Sequence, residues 1–477
     1  MRLLPVRRRY INERVELLPG EYGPGTDAEL RALGRLYNPT IGPITTVMLQ
    51  RPDVLDLSMQ AASCQHASLG TLIKDVTVRA GIPDDQPIPA SGKGADPLRP
   101  VLGALGEMAE RLLAVLHTAA AEDGLVVATY DDLVREGRRA LGPHVLPLFA
   151  PEQYADPRLE YAPFTGDTRL RWVEGTDLRN GDPVLVPAQL VLMYNPGRFR
   201  EERIGYPTSG GLAFHRDRRG AILHGFYEIV ERDAIDVRWM CRLAPPRVDV
   251  DVAEVMASEW GLARPRLETP GVGPMAVYLN TLDVPLPVFS AISIVNSRTE
   301  RTLLSGGGAW SSRETALRQT VFELGQAQAA LRAFQPTAMT AIAPDTDRSH
   351  MHDFFDVALY YGFPENHPRL SWYLEDGGVV DWAAVPSRHF GDLTEEYDAF
   401  LGLLAELDLN PVVIDLDAAC PPGVHLTKVI VPELSQAFIP SHPYLGHPRF
   451  STLPEALGLR DRALAFADLH VDPVPFS

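Results

Sequence analysis

The sequence predicts an α+β fold with mixed or antiparallel sheets, on three observations. Short apolar runs recur between turn signals, as strands require. Three stretches of small residues each lead into a long amphipathic pattern of helical period. The composition, 45% hydrophobic and 22% charged, is that of a chain that buries a substantial core. The 477 residues leave room for about two to four domains, or one large fold with additions.

Charge narrows the function classes. A net charge of −18 argues against nonspecific binding to nucleic acid or to an anionic membrane, both of which need a basic face. No apolar run is long enough to span a bilayer. The N-terminus, MRLLPVRRRYINERVE, is basic but lacks the apolar stretch of a signal peptide, so a cytoplasmic location is expected. Cys64, Cys241 and Cys420 form no CxxC pair, hence neither a zinc knuckle nor a disulfide framework. Only three of the 44 basic residues are lysines: Lys74, Lys93 and Lys428. A lysine kept among arginines either marks a need for a compact point charge or is left over from codon bias. Lys93 is the best of the three candidates.

Residues 1–90 are turn-rich, with strand-like alternation at Ile44–Leu49. Cys64 and His66 lack a third partner for nucleophilic catalysis. Ser91-Gly92-Lys93-Gly94 then precedes a helical pattern through Val101, Leu105, Met108 and Leu112. The spacing is not that of a Walker A loop, yet glycines beside a lysine allow close approach to phosphate. This helix carries Glu107 and Glu110, on one face because they are three apart. Farther on, Val184–Pro187 and Leu190–Met193 read as strands, with 179–182 a turn.

Ser209-Gly210-Gly211 is a small-residue turn ahead of a second helix, which carries Glu228 and Glu231 followed by Arg232. Apolar neighbours Ile229, Val230, Ala234 and Ile235 crowd these acids. Taken alone, such a pair is either a divalent-metal site or a wet charged rim. Its repetition as Glu-x-x-Glu-Arg on two helices points to a shared cation cluster, the kind Mg²⁺ forms with carboxylates and nucleotide phosphates together. A flexible turn at 305–308 leads to a third helix, where Ser311 and Glu314 have capping-box spacing and Glu323 and Gln326 repeat the pattern. Weaker candidates are the His350-x-His352 pair for zinc, His425, His442 and His447 for proton transfer, and Lys428 as a strand-edge charge.

The segments GKGADPLRPVLGALGEMAERL, TSGGLAFHRDRRGAILHGFYEIVERDA and GGGAWSSRETALRQTVFELGQ resemble YcaO-domain proteins, specifically the D-protein type of thiazole/oxazole cyclodehydratase. FFDVALYYGFPEN, LTKVIVPELSQAFIP and the ending DPVPFS extend the resemblance from about residue 90 to the C-terminus. It implies a YcaO domain over 91–477, with 1–90 packed on it or part of it, and helices enclosing ATP and Mg²⁺. It implies ATP-dependent activation of a backbone amide of a precursor peptide, closing Cys, Ser or Thr side chains into azolines. Thioamide or amidine formation is the alternative chemistry, and an inactive scaffold subunit a third reading.

By the same resemblance Glu107, Glu110, Glu228, Glu231 and Glu323 would hold Mg²⁺. Lys93, Ser209, Arg232 and Gln326 would contact the nucleotide, and the tail Pro473, Pro475 and Ser477 would lie at the reaction centre. A separate leader-binding, E1-like partner is expected, with a flavin dehydrogenase as a further partner and a homodimer compatible. The pattern departs from the family at Gly103, Gly210, Ala327, Val357 and Ser477, where Ser, Asn or Thr, Arg, His and a third proline are usual.

Overall fold

The computed structural model describes residues 33–38, 42–50, 59–68, 88, 90–94, 98–193, 201–260, 275–296, 301–338 and 342–476. Three sheets and three long helices set the architecture. β1 (Ile44–Gln50), β2 (Gln60–His66) and β3 (Ser91–Gly94) form an antiparallel sheet. Residues ahead of position 91 thus share a sheet with Lys93. α1 (Leu98–Ala120) follows and packs back on it. Its Leu/Ala-rich composition favours helix, and Leu102, Leu105, Met108 and Leu112 are buried as the periodicity predicts.

The second sheet is built from β4 (Val126–Thr129), β5 (Arg169–Asp177), β6 (Pro183–Pro187) and β7 (Leu212–His215), completed by two strands from far along the chain. α2 (Arg218–Met240) starts at Asp217, whose carboxylate accepts the Arg219 N–H at 2.9 Å. It is buried along nearly its whole length. It touches both larger sheets.

The third sheet has the order β11-β10-β9-β8-β12. Its strands are β8 (Arg247–Asp249), β9 (Ala276–Leu279), β10 (Val288–Asn296), β11 (Arg301–Ala309) and β12 (Val379–Asp381). All neighbours are antiparallel except β8 and β12, so the sheet is mixed. α3 (Arg313–Ala338) lies across it, and α4 (Phe354–Gly362) and α5 (Leu393–Glu406) come later. β13 (Val412–Asp415) and β14 (His425–Ile430) then return to the second sheet, ordered β4-β5-β13-β14-β7 with β6 on β5.

Local expectations fail in three places. Residues 190–193 are not a strand: a short helix, Ala188–Val191, occupies this region. A four-residue apolar run does not distinguish the two by period. Gly306–Gly308 is not a turn but the interior of β11. A Cβ on Gly306 would meet Thr320 O at 2.4 Å, and one on Gly308 would meet Ala316 O at 2.5 Å. These glycines let α3 lie directly on the strand. Finally, Ser312 caps α3, accepting Thr315 N–H at 3.2 Å, whereas Ser311 donates to Glu396 at 2.7 Å.

Candidate active site

The acids of α1, α2 and α3 meet in one cluster, and four of them are fixed in the same way. Each spends one carboxylate oxygen on a main-chain N–H of another element. Glu107 accepts from Ser91 at 2.9 Å, and Glu110 from Phe214 at 3.2 Å. Glu228 accepts from Gly211 at 3.0 Å, and Glu323 from Gly307 at 2.9 Å. Three of these donors lie in the small-residue stretches that precede the helices, and Phe214 lies just beyond one. Gly211 has φ +80°, a conformation suited to glycine. A Cβ on Gly307 would sit 2.3 Å from Glu231 Oε1, so only glycine lets that carboxylate lie against β11.

The cluster holds more negative charge than its own cations balance. Burial pushes the Glu110 carboxyl up to about 8, with Glu228 adding to the effect. Burial and then Glu323 push Glu231 up to about 8, against Arg232 and Lys93. Glu228 is raised by burial too, opposed by Arg232, the Gly211 N–H and Lys428. These mutual effects connect Glu107, Glu110, Glu228, Glu231 and Glu323 into one cluster. Burial works against the Arg232 guanidinium, but Glu231, Glu228, Glu323 and Asp236 outweigh it and hold it protonated. Asp236 itself is pushed up to about 8 by burial.

The expected nucleotide contacts border this cluster. Lys93, on β3, is near enough to Glu231 to favour its ionised form. Gln326 of α3 donates through Nε2 to Ser91 Oγ and, at 3.4 Å, to Ser91 O, tying α3 to β3. Ser209 opens the turn closed by Leu212 N–H on Ser209 O at 2.7 Å.

The C-terminal tail runs to the same strand. Trp239 Nε1 donates to Asp472 O at 2.9 Å and Tyr361 OH to Pro473 O at 2.8 Å. Ser305 Oγ donates to Pro475 O. Ser305 is two residues from Gly307 on β11, and therefore on the same face. Val474 and Phe476 are buried, Phe476 against Tyr373. Ser477 lies outside the described residues.

The remaining sequence candidates are accounted for by other contacts. Burial pushes the Cys64 thiol up to about 12, and both His66 ring nitrogens are used by the main chain, at Ala67 O (2.7 Å) and Ile88 N (3.0 Å). His425 pairs with Asp417 at 2.8 Å, His442 with Ser441 at 3.0 Å and His447 with Pro432 O at 3.1 Å. His350 and His352 are exposed. Val357 is buried in the apolar core around α2. Lys428 is not a strand-edge charge: it pairs with Ile414 and Leu212 inside the second sheet and is 3% exposed. Sequence reading undervalued it because its place between two strands depends on residues more than 200 positions away.

Among the described residues no three potential ligands are gathered into a ready-made metal cage. Buried carboxylates with raised pKa values are a fitting donor set for cations that arrive with a triphosphate.

The family description YcaO cyclodehydratase, ATP- and Mg²⁺-binding, matches residues 91–435. The chain belongs to the YcaO family, and ATP and Mg²⁺ are its cofactors. A protein of Methanothermobacter thermautotrophicus described as uncharacterized is 26% identical over 319 residues, 65% of this chain and 74% of that one. A heterocyclase in complex with substrate and cofactor has TM-score 0.70 and 21% identity, over 96% of this chain and 58% of its own. The heterocyclase TruD has TM-score 0.55 and 21% identity, over 79% and 52%. YcaO from Methanopyrus kandleri, bound with AMPPCP and Mg²⁺, has TM-score 0.55 and 19% identity, over 82% and 86%. At such identities these three share the fold. This chain spans between half and three fifths of the two heterocyclases' lengths. Among the described residues no helix is long and apolar enough to cross a membrane.

Proposed function

We propose that this chain is the catalytic, D-type subunit of an azoline-forming cyclodehydratase, acting on Cys, Ser or Thr of a precursor peptide. The observation that carries the reading is the meeting of tail and acids on β11: Ser305 holds the Pro475 carbonyl, and two residues on, Gly307 contacts Glu231 and Glu323. In this reading Glu107, Glu110, Glu228, Glu231 and Glu323 would hold Mg²⁺, and Lys93, Ser209, Arg232 and Gln326 would orient the nucleotide. Bound Mg²⁺–ATP supplies the phosphoryl group that lets the amide-derived oxygen depart as phosphate.

The chain's own contribution is placement. Four of the glutamates, all but Glu231, are braced through one oxygen by main-chain N–H groups, so they need little reorganisation when cations arrive. Buried Arg232 keeps its charge and offsets developing negative charge nearby. Pro473 and Pro475 stiffen an extended tail, whose carbonyls are held by Tyr361 and Ser305. That anchoring would bring Pro473 and Pro475 toward the peptide. In this reading 91–477 is the catalytic domain, and the described residues before 91 join it through β1 and β2.

A separate leader-binding, E1-like partner is part of the proposal. The test is the mass of a candidate precursor after incubation with this chain, such a partner, ATP and Mg²⁺. Loss of one water per ring, with one ADP released, supports the reading. Exchange of oxygen for sulfur replaces azoline by thioamide chemistry. Water loss that engages an amine gives an amidine, and no mass change with no ADP leaves a scaffold subunit.

A further inference from the structure

We infer that Lys428 is a positioning residue for this nucleotide site, an ammonium resident in the acid cluster that fixes the 208–211 turn and offsets two of the acids. The inference rests on the functional reading above. Lys428 Nζ donates to Thr208 O at 2.7 Å and to Gly210 O at 2.6 Å. The turn's next N–H, on Gly211, donates to Glu228 at 3.0 Å. A cation therefore grips the turn's carbonyls while an anion grips its amide, and Ser209 is held between them.

Burial pushes the Lys428 amine down to about 8, while Glu228 and Glu110 favour its charged form. Glu110 belongs to α1 and Glu228 to α2, so the ammonium stands where two acid-bearing helices approach. Its stem enters from β14, in the interior of a sheet, which leaves it little freedom to move away. Arginine fills nearly every other basic position in this chain, but a planar fork is a poor substitute for a point charge with donors that converge on two carbonyls of one turn.

Removing the ammonium has two opposite consequences. The acids gain a net negative charge, which favours a bare cation. The triphosphate loses both an attraction and an ordered turn, which disfavours the nucleotide. Loss of general structural support would not split the two.

The experiment is calorimetric titration of wild type, K428M and K428R, first with Mg²⁺ alone and then with ATP in excess Mg²⁺. For K428M, ATP affinity is expected to fall by about tenfold or more, as for a lost charge-assisted contact, while Mg²⁺ alone binds at least as tightly as to wild type. K428R should fall between the two. Wild type that binds no Mg²⁺–ATP defeats the underlying functional reading. Wild type that binds while folded K428M binds ATP equally well, or loses Mg²⁺ and ATP in parallel, overturns the role of Lys428. Should K428M fail to fold, K428Q, with a neutral donor for one carbonyl, takes its place. Failure of both neutral variants to fold would mark Lys428 as a structural prop and overturn the assignment.

Discussion

Glu231 and Asp233 lie two residues apart on α2, both inside the protein, and meet opposite surroundings. Asp233 is satisfied by the chain itself. Oδ1 accepts Ser435 N–H at 2.8 Å and Ser435 Oγ–H at 2.9 Å, and Oδ2 takes Arg449 at 2.5 Å. Arg449 is shared with the more exposed Asp283 at 2.6 Å, which closes a triad. Glu231 instead faces Glu323 and Glu228, with Arg232 and Lys93 too few to balance them. A buried carboxylate that the protein completes is part of its architecture. One that it leaves incomplete is a place for something to bind.

The largest expected effect lies on the incomplete side. Replacing Glu231 with Gln should lower peptide-dependent ADP release by about 10²–10³-fold, the scale of losing one preorganised electrostatic contact. The unliganded protein should melt no lower than wild type, since one uncompensated charge is gone. Turnover that survives, or a melting temperature that drops by several degrees, would put Glu231 in the same class as Asp233.

The complement is Asp233→Ala. It leaves Arg449 with one carboxylate instead of two and the Ser435 N–H without its acceptor, so the loss should stay below the figure of about 3–5 kcal/mol for a fully uncompensated buried charge. Urea unfolding should show that loss, while the folded fraction keeps its KM for ATP. A shifted KM with unchanged stability would reverse the comparison.

This contrast was partly legible in the sequence. The Glu-x-x-Glu-Arg spacing placed Glu228 and Glu231 on one face and set them beside apolar residues, so a shared acid cluster could be expected from local geometry. What stayed hidden were the partners. Ser435 and Arg449 reach Asp233 across 202 and 216 positions, and Lys428 reaches Thr208 across 220. No periodicity reports such distances. Gly306–Gly308 misled for a related reason: glycine marks close approach as well as turning, and the approaching element, α3, comes later in the chain. Likewise Ser311 and Ser312 differ only in which one the chain turns toward Thr315.

Acidity sharpens the comparison further. The Glu231 and Glu110 carboxyls rise from an ordinary 4.5 to about 8 in the folded protein. The folded state thus holds more protons than the unfolded one between those values. Their contribution to stability is fully present below pH 4.5 and is lost as pH rises through about 8. Each group contributes a slope of up to about 1.4 kcal/mol per pH unit. Melting curves across this range should steepen that decline in unliganded protein and flatten when Mg²⁺ and ATP are added, because cations favour the ionised acids. Equal pH dependence with and without the ligands would mean that the acids are already compensated.

The smallest effect tests whether the start of α2 matters to the acids farther along it. Asp217 caps the helix, and its hydrogen bonds and charge pairing with Arg219 hold its carboxyl at about 2. Asp217→Ala should cost about 1 kcal/mol, the usual value of an N-cap. Glu228 is roughly 16 Å along the axis at 1.5 Å per residue, and its own brace is the Gly211 N–H. KM for ATP should therefore not move. Because the folded carboxyl titrates below the unfolded value of 3.8, the stabilisation is present above that pH and fades as pH falls toward 2. The gap in melting temperature between wild type and the variant should be wide at pH 7 and close only as pH approaches about 2. A KM that rises with the lost cap would show that the acids depend on the helix terminus, and would move Asp217 from architecture into the binding machinery.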